Sequence, residues 1–334
     1  MPSTSESMAN ESVLIVSTNW VGDAVMGMPA LQRFRLENPD ARITMLTKPA
    51  TKALWQMHPA VDAIQIMGKP LETARCLRAE GYDCAYIFPN SIRSGFVPWL
   101  AGIPRRVAQR GEWRRLMLTD VVPSPNGHQQ FEYKAILGVQ EALSVPRIKV
   151  QQQDVSNVKE MIKQLTGSEV SHFLITLLPG AARGPSKRWP PEHYLKLAIK
   201  LRDEMKVVVL LGGGPDDTVS CEQIAKEAGT GIYSLAGKTS VAEWAALLKI
   251  SDCVVANDSG GMHLATAVGT PVVGIYGLTD TAKTGPLGKS VVLQKSSKRS
   301  RDISRSSDEA ARALKSIAPV EVFDVVTNLL DKRG

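Results

Sequence analysis

The chain has 334 residues, of which 43% are hydrophobic and 22% are charged. These values are ordinary for globular proteins, so they exclude disordered and fibrous classes, and the length favours two domains over one. No apolar run approaches the roughly 18 residues of a membrane-spanning helix. Residues 1–12 are polar and lack the apolar centre of a signal peptide. We therefore expect a cytoplasmic protein with a frayed N-terminus.

Positive charge is unevenly distributed along the chain, whose net charge is +7. Residues 104–115 hold five Arg against one Glu, and residues 289–315 hold eight Lys or Arg against three acids. Such stretches attract nucleic acids, membrane phosphates or anionic substrates, although a plain solvated face can have the same composition. Only 5% of the residues are aromatic and no nucleic-acid motif is present, so we expect no nucleic-acid partner.

Strands and helices alternate through the first half. The apolar run 12–16 predicts a strand, and a turn at 19–23 leads into a helix at 24–37. Asn38-Pro39 ends that helix, because the residue before proline resists helical angles. Three further apolar runs predict strands, at 42–46, 63–67 and 84–88. This alternation predicts a parallel sheet covered by helices on both faces.

The second half repeats the rhythm after a polar, weakly patterned stretch at 144–172. We place the domain junction there, with domains at 1–160 and 161–318. The strands predicted in the second half are 173–178, 207–211, 253–256 and 272–276. The basic, serine-rich segment 295–308 is typical of a mobile loop, and residues from 319 to about 330 predict an amphipathic helix.

The loops that follow these strands are the candidate binding sites, since ligands of open parallel sheets bind beyond the carboxyl ends of the strands. Residues 257–263 contain glycines that let the backbone approach a phosphate, followed by a helix with free N–H groups. Asp258 or Ser259 could instead cap that helix, and His263 could be a buried histidine. The residues of this loop fit both phosphate binding and simple helix capping.

Two more loops carry candidate chemistry. The small residues 180–182 are followed by Lys187 and a helix start, which suits a leaving diphosphate, although a surface lysine is the alternative. The glycines 212–214 lack the GxGxxG spacing of dinucleotide sites. In the first half, Asp23 lies at the first strand-to-helix turn, where a carboxylate can act as a general base or merely cap a helix.

Together these loops resemble the ADP-heptose:lipopolysaccharide heptosyltransferases, which form glycosyltransferase family 9. The resemblance implies the GT-B fold, an α/β architecture of two Rossmann-like parallel-sheet domains facing across a cleft. The stretch 89–104 followed by Arg110-Gly111-Glu112 is most similar to members that add the second inner-core heptose. The matching pieces occur in family order at 20–23, 28–31, 89–104, 179–181, 187–190 and 257–263.

The resemblance also implies roles for individual residues. Asp23 is expected to deprotonate the acceptor hydroxyl, and Lys187 to hold the donor diphosphate and stabilise the departing ADP. The expected donor-binding residues are Gly180, Ala181, Ala182, Lys187, Asp217, Asp258, Ser259, Gly260 and His263. The expected acceptor-binding residues are Trp20, Asn90, Ser91, Arg93 and Arg110. The last helix, 319–334, is expected to pack back on the first domain.

The implied reaction is an inverting transfer of L-glycero-D-manno-heptose from ADP-heptose to the inner core of lipopolysaccharide. The expected partners are an ADP-sugar donor and an anionic glycolipid acceptor, the lipid A core. Peripheral contact with the cytoplasmic face of the inner membrane is also expected. We expect neither a metal nor a cofactor, and the four scattered cysteines contain no CxxC pair.

One departure from the family pattern keeps alternatives open. Family members often carry cysteines near residues 293–316, whereas this chain has a serine-rich basic stretch there. Another nucleotide sugar and glycolipid acceptor on the same fold is one alternative, and a non-catalytic nucleotide- or glycan-binding module is another. Asp23 and Lys187 separate the two classes, because a binding module needs no base.

Overall fold

The computed structural model describes residues 11–111, 113–167, 173–300 and 303–331, in two compact units, Met1–Pro146 and Arg147–Gly334. Most of the predicted frayed terminus lies outside the described residues. The same is true of Glu112 and of two residues within the predicted loop 295–308. Among the described helices, none has the length and hydropathy that crossing a bilayer requires.

The first unit is built on a six-stranded parallel sheet with the strand order β3-β2-β1-β4-β5-β6. The chain lays down β1 to β3 in one direction and then starts again beside β1, so the order reverses between β1 and β4. Such a reversal opens a crevice at the carboxyl ends of the two strands. The strands are β1 (Ser12–Val16), β2 (Arg42–Thr47), β3 (Ala63–Ile66), β4 (Cys84–Ile87), β5 (Arg105–Gln109) and β6 (Asp120–Val122).

The helices of the first unit cover its sheet. Residues 13–16 of β1 and all four residues of β4 are buried, which explains why both read as continuous apolar runs instead of alternating ones. The helices are α1 (Val21–Glu37), α2 (Pro49–Gln56), α3 (Pro70–Glu80), α4 (Ile92–Leu100) and α5 (Gln130–Leu137). A 3-10 turn, Arg115–Met117, lies between β5 and β6.

The second unit repeats this design with the order β12-β11-β10-β7-β8-β9, so its reversal falls between β7 and β10. Its strands are β7 (Leu174–Leu178), β8 (Val208–Leu211), β9 (Ile232–Ser234), β10 (Cys253–Asn257), β11 (Val272–Ile275) and β12 (Ser290–Leu293). Its helices are α6 (Gln152–Thr166), α7 (Pro191–Met205), α8 (Thr218–Ala228), α9 (Val241–Ile250), α10 (Gly260–Ala267), α11 (Thr281–Thr284), α12 (Asp308–Lys315) and α13 (Pro319–Asp331).

The unit boundary falls earlier in the chain than the predicted junction at 160/161, which lies inside α6. This helix buries Val155, Val158 and Ile162, and it packs against α9 of the second unit. Its apolar stripe therefore belongs to the second core, which moves the boundary to Pro146. The polar surface of α6 gives its sequence the composition of a linker.

The last helix, α13, belongs to the second compact unit, and its expected packing on the first domain stays a prediction. The buried residues of α13 are Val322, Val326 and Leu330, and they belong to the same core cluster as Ile175 of β7 and Leu201 of α7. The helix contacts α7, β10 and β11. Its apolar face is therefore buried within the second unit.

Candidate active site

Asn257, the last residue of β10, ties together the loops at the reversal point of the second sheet. Its buried side-chain oxygen accepts hydrogen bonds from the Trp189 backbone N–H and from the Tyr194 hydroxyl, each at 3.0 Å. Its Nδ2 donates to the Pro179 carbonyl at 2.7 Å, in the loop after β7. One amide thus uses both its acceptor and its donor to fix the turn that carries Pro179 and the segment that carries Trp189.

Lys187 and Asp258 form an ion pair at the same reversal point. Lys187 ends a 3-10 turn, Pro185–Lys187, and its ammonium donates to Asp258 Oδ2. The two side chains are only 12% and 9% exposed, so water screens the pair weakly. An ammonium group has three N–H donors, so Lys187 can donate to a phosphate oxygen while it also donates to the Asp258 carboxylate.

Asp217 brings the loop after β8 into contact with the turn after β7. A Cβ atom on Gly180 would lie 2.2 Å from Asp217 Oδ1, so this approach requires glycine. Asp217 accepts the Gly214 N–H at 3.0 Å, and Arg188 Nη2 lies 3.9 Å from its other oxygen. Burial raises the pKa of Asp217, while the Gly214 N–H and the Arg188 charge oppose the rise. Arg188 also donates to the Ala181 carbonyl at 3.3 Å.

The helix α10 begins at Gly260, directly after Asp258 and Ser259. Ser259 occupies the N-cap position, and its hydroxyl makes no cap hydrogen bond to the described backbone of α10. A Cβ atom on Gly261 would lie 2.7 Å from both Leu178 and Trp244, so that glycine serves close packing. His263 is 3% exposed on the same helix. Its burial matches the alternative of a buried histidine.

In the first unit, Asp23 is the third residue of α1 and follows β1 closely. Trp20 occupies the N-cap position, which excludes the alternative that Asp23 is the cap itself. Asp23 Oδ1 accepts a hydrogen bond from Gln129 Nε2 at 3.3 Å, and the same nitrogen lies 2.7 Å from the Tyr133 hydroxyl. The carboxylate is half-buried and oriented by a neutral amide.

The remaining predicted acceptor residues lie around the carboxyl ends of β1, β4 and β5. Trp20 is 52% exposed, and Asn90, Ser91, Arg93 and Arg110 are exposed as well. Ser91 caps α4 by accepting the Ser94 N–H at 3.3 Å. Arg93 donates to the Gly68 carbonyl at 3.0 Å. The structure therefore places these side chains along one edge of the first sheet, together with Asp23.

The sequence alone does not reveal the role of Arg114, because nothing in it separates this residue from the other arginines of 104–115. Arg114 is fully buried and donates to the Pro89 carbonyl, to Asn90 Oδ1 at 3.0 Å and to the Gln109 carbonyl at 2.6 Å. Burial lowers the pKa of its guanidinium. Arg114 therefore holds the loop after β4 in place and is not available to an acceptor. Its sequence neighbours carry no signal that distinguishes it.

The sequence profile of glycosyltransferase family 9 (heptosyltransferase) matches residues 71–312, which is most of the chain. The chain belongs to glycosyltransferase family 9. This family 9 enzyme is 32% identical over 301 residues to lipopolysaccharide heptosyltransferase 2 of Escherichia coli K12, covering 82% of this chain and 85% of that one. It is 31% identical over 305 residues to lipooligosaccharide heptosyltransferase 2 of Haemophilus influenzae, covering 84% and 88% respectively.

A solved structure extends the similarity to the whole fold of this family 9 enzyme. The structure of the E. coli ADP-heptose lipopolysaccharide heptosyltransferase II superposes with a TM-score of 0.86 at 28% sequence identity, covering 96% of this chain and 99% of that one. The expected GT-B fold and the glycosyltransferase class are confirmed. Within the described residues, no cluster of three or more His, Cys, Asp or Glu side chains is arranged to hold a metal ion.

Proposed function

We propose that this family 9 enzyme transfers heptose from ADP-heptose to the inner core of lipopolysaccharide, with inversion at the anomeric carbon. The relatives named above are heptosyltransferases of lipopolysaccharide or lipooligosaccharide, and one is named for ADP-heptose. The single observation that carries the proposal is the Lys187–Asp258 pair, which places a cation at the reversal point between β7 and β10. That is where open α/β sheets bind nucleotides.

On the donor side, Lys187 would bind the diphosphate of the nucleotide sugar. Because Asp258 already contacts its ammonium, the diphosphate must share that ammonium or take it over. The small residues Gly180, Ala181 and Ala182, together with Ser259 and Gly260, would let phosphate oxygens approach backbone N–H groups and the start of α10. Asp217 would accept a hydrogen bond from a ribose hydroxyl, and His263 would support the donor site from its buried position on α10.

On the acceptor side, Asp23 would act as the general base. Its carboxylate takes the proton of the acceptor hydroxyl while that oxygen bonds to the anomeric carbon and the bond from that carbon to the ADP oxygen breaks. The electron pair of the broken bond leaves on the diphosphate, whose charge Lys187 stabilises. Gln129 would orient Asp23 through its hydrogen bond of 3.3 Å.

The acceptor itself would be the anionic lipid A core, bound through exposed polar and basic side chains. These are Trp20, Asn90, Ser91, Arg93 and Arg110, on the same edge of the first sheet as Asp23. Two of them are guanidinium groups, which suit phosphate and carboxylate oxygens through paired hydrogen bonds. A glycolipid of this kind lies in a membrane, so we also propose that the enzyme works at the cytoplasmic membrane surface as a peripheral protein.

A transfer assay tests this function. Purified enzyme is incubated with a heptose-deficient lipopolysaccharide core and, in separate reactions, with ADP-heptose, UDP-glucose or GDP-mannose, and the products are weighed by mass spectrometry. The proposal predicts the mass of one added heptose with ADP-heptose alone. Transfer from a different nucleotide sugar would keep the transferase class and overturn the donor. No transfer at all, with nucleotide binding retained, would favour a binding module.

A further inference from the structure

The first unit exposes four large apolar side chains on two segments that pack against each other. Trp113 and Leu116, between β5 and β6, are 87% and 92% exposed, and Ile92 and Trp99 of α4 are 47% and 45% exposed. We call these four residues the tryptophan patch. A Cβ atom on Gly95 of α4 would lie 3.7 Å from Arg114 Cβ. The helix and the segment that carries Trp113 and Leu116 therefore lie side by side.

The exposure of Trp113 is built into the backbone. Its φ of 57° lies in the left-handed region, which costs a residue with a large side chain roughly 1–2 kcal/mol. An indole that is 87% exposed recovers little of that cost through burial. The adjacent Arg114 is fully buried and donates to four backbone or side-chain oxygens, so the chain is anchored at that point. The backbone conformation and the buried neighbour therefore keep the Trp113 side chain exposed to solvent.

The charge around the tryptophan patch selects among possible occupants. Arg93 follows Ile92, and Arg115 precedes Leu116, so basic side chains adjoin the apolar ones, and all of these are exposed. Tryptophan rings and arginines that extend their charged ends to phosphates are typical of the headgroup layer of a membrane. The positive charge complements an anionic lipid surface.

We propose that the tryptophan patch docks this enzyme on an anionic lipid bilayer, with Trp113 and Leu116 inserted among the headgroups. This inference rests on the proposed function in one respect, namely that the acceptor is a glycolipid. The α4 helix and the segment after β5 both follow the carboxyl ends of their strands, which is the edge that carries Asn90 and Ser91. Docking there brings the sugars of a membrane-embedded acceptor to the predicted acceptor loop.

Vesicle binding tests the docking surface without any reaction. Full-length enzyme is sedimented with vesicles of phosphatidylcholine mixed with phosphatidylglycerol, and in parallel with phosphatidylcholine alone. We expect the wild type to bind the anionic vesicles, and a Trp113→Ser/Leu116→Ser double variant to bind about tenfold more weakly or worse, since two apolar contacts are lost. Leu36→Ser is the matched control, because Leu36 is 72% exposed on α1 of the same unit and should leave binding unchanged.

A charge variant separates electrostatics from insertion. Arg115→Gln should weaken binding to anionic vesicles by roughly fivefold, in line with the attraction of one cation to an anionic leaflet, and should not change binding to neutral vesicles. Failure of the wild-type enzyme to bind anionic vesicles would overturn the proposal. Equal binding by the wild type and the double variant would do so as well. If the wild type binds no vesicles but sediments as a dimer, and the double variant sediments as a monomer, the tryptophan patch is a contact with a second copy of the chain.

Transfer to a deacylated, water-soluble core distinguishes failure of docking from failure of the proposed function. The double variant should keep wild-type turnover on the soluble acceptor and lose turnover on the vesicle-embedded one. If wild-type enzyme binds vesicles as predicted but transfers heptose to neither acceptor, the proposed function is wrong and the docking surface stands. If transfer is intact but vesicle binding does not depend on Trp113 and Leu116, only the docking surface is wrong.

Discussion

The reversal points of the two sheets share one strand order but hold their loops in different ways. In the second unit, Asn257 is fully buried with hydrogen bonds to both flanking segments, and Lys187 is paired with Asp258 away from water. In the first unit, Asp23 is half-buried against Gln129, and Asn90 is exposed. The same topology therefore supports one rigid, desolvated site and one open site.

This difference fits the two substrates that the proposed reaction needs. A nucleotide diphosphate is a constant group with fixed charges, so a preorganised loop can stabilise the charge that develops on it. A branched glycolipid presents variable sugars, and exposed side chains on a supported edge can adapt to them. In the proposed reaction, proton removal takes place at the open site, where Asp23 would reach a hydroxyl of the acceptor. Substitutions at Asp23 and Lys187 test this division.

The largest expected effect is on turnover after removal of the Asp23 carboxylate. Asp23→Ala and the isosteric Asp23→Asn should both lower kcat by about 10²–10⁴-fold, the usual contribution of a positioned general base. Binding of ADP should stay close to wild type, because Asp23 lies in the open site. Initial rates of heptose transfer measure the first effect and calorimetry the second. Wild-type turnover in Asp23→Asn would remove the general-base assignment.

The next effect is expected at the rigid site. Lys187→Ala should lower kcat by about 10²–10³-fold, as loss of a preorganised charge-stabilising group does, and should weaken ADP binding as well. Lys200→Ala, on α7, is the matched control, because that partly exposed lysine pairs with Glu204 and should change neither quantity. An unchanged affinity for ADP in Lys187→Ala would contradict its diphosphate role.

Loss of the amide that ties the rigid loops should destabilise the fold. Asn257→Ala removes partners from the Trp189 N–H and the Pro179 carbonyl inside the protein, and we expect the free energy of unfolding to fall by about 3 kcal/mol. Asn328→Ala, which removes an exposed helix amide, should change it by no more than about 0.5 kcal/mol. Urea unfolding compares the two, and similar losses would show that the amide at 257 is not a structural tie.

The smallest effect is a pH dependence within the first unit. Burial lowers the pKa of His58 from 6.5 to about 3, so the unfolded chain takes up a proton below pH 6.5 while the folded chain stays neutral there. Stability is therefore lost as the pH falls, by about 2 kcal/mol between pH 6.5 and about 5. Urea unfolding of wild type and His58→Gln at both pH values isolates this slope. Equal slopes in the two proteins would mean that His58 titrates normally when folded.

Much of the fold follows from local sequence. The runs at 12–16 and 84–88 predict strands that the structure places in β1 and β4 within one residue, because strands buried on both faces have continuous apolar sequences. The place of Asp23 after β1 and of Asp258 after β10 is predicted in the same way. Ligand-binding loops follow strand ends, so locating the strands locates the loops.

The remaining features depend on contacts between distant residues. Arg114 differs from its exposed neighbour Arg115 only because the carbonyl of Gln109 and the loop at Asn90 surround it. Lys187 and Asp258 are each predicted in the donor site, but their pairing across 71 positions depends on the alignment of β7 with β10. The core to which α13 belongs is likewise set by packing, since its amphipathic pattern fits either unit.

Titration of ADP into wild-type enzyme, Asp23→Ala and Lys187→Ala, side by side in one calorimeter, tests the division between the two sites most directly. We predict that ADP binds the wild type and Asp23→Ala alike, and binds Lys187→Ala at least tenfold more weakly, a loss of about 1.4 kcal/mol. Equal binding by all three proteins, or loss of binding in Asp23→Ala with retention in Lys187→Ala, would contradict it.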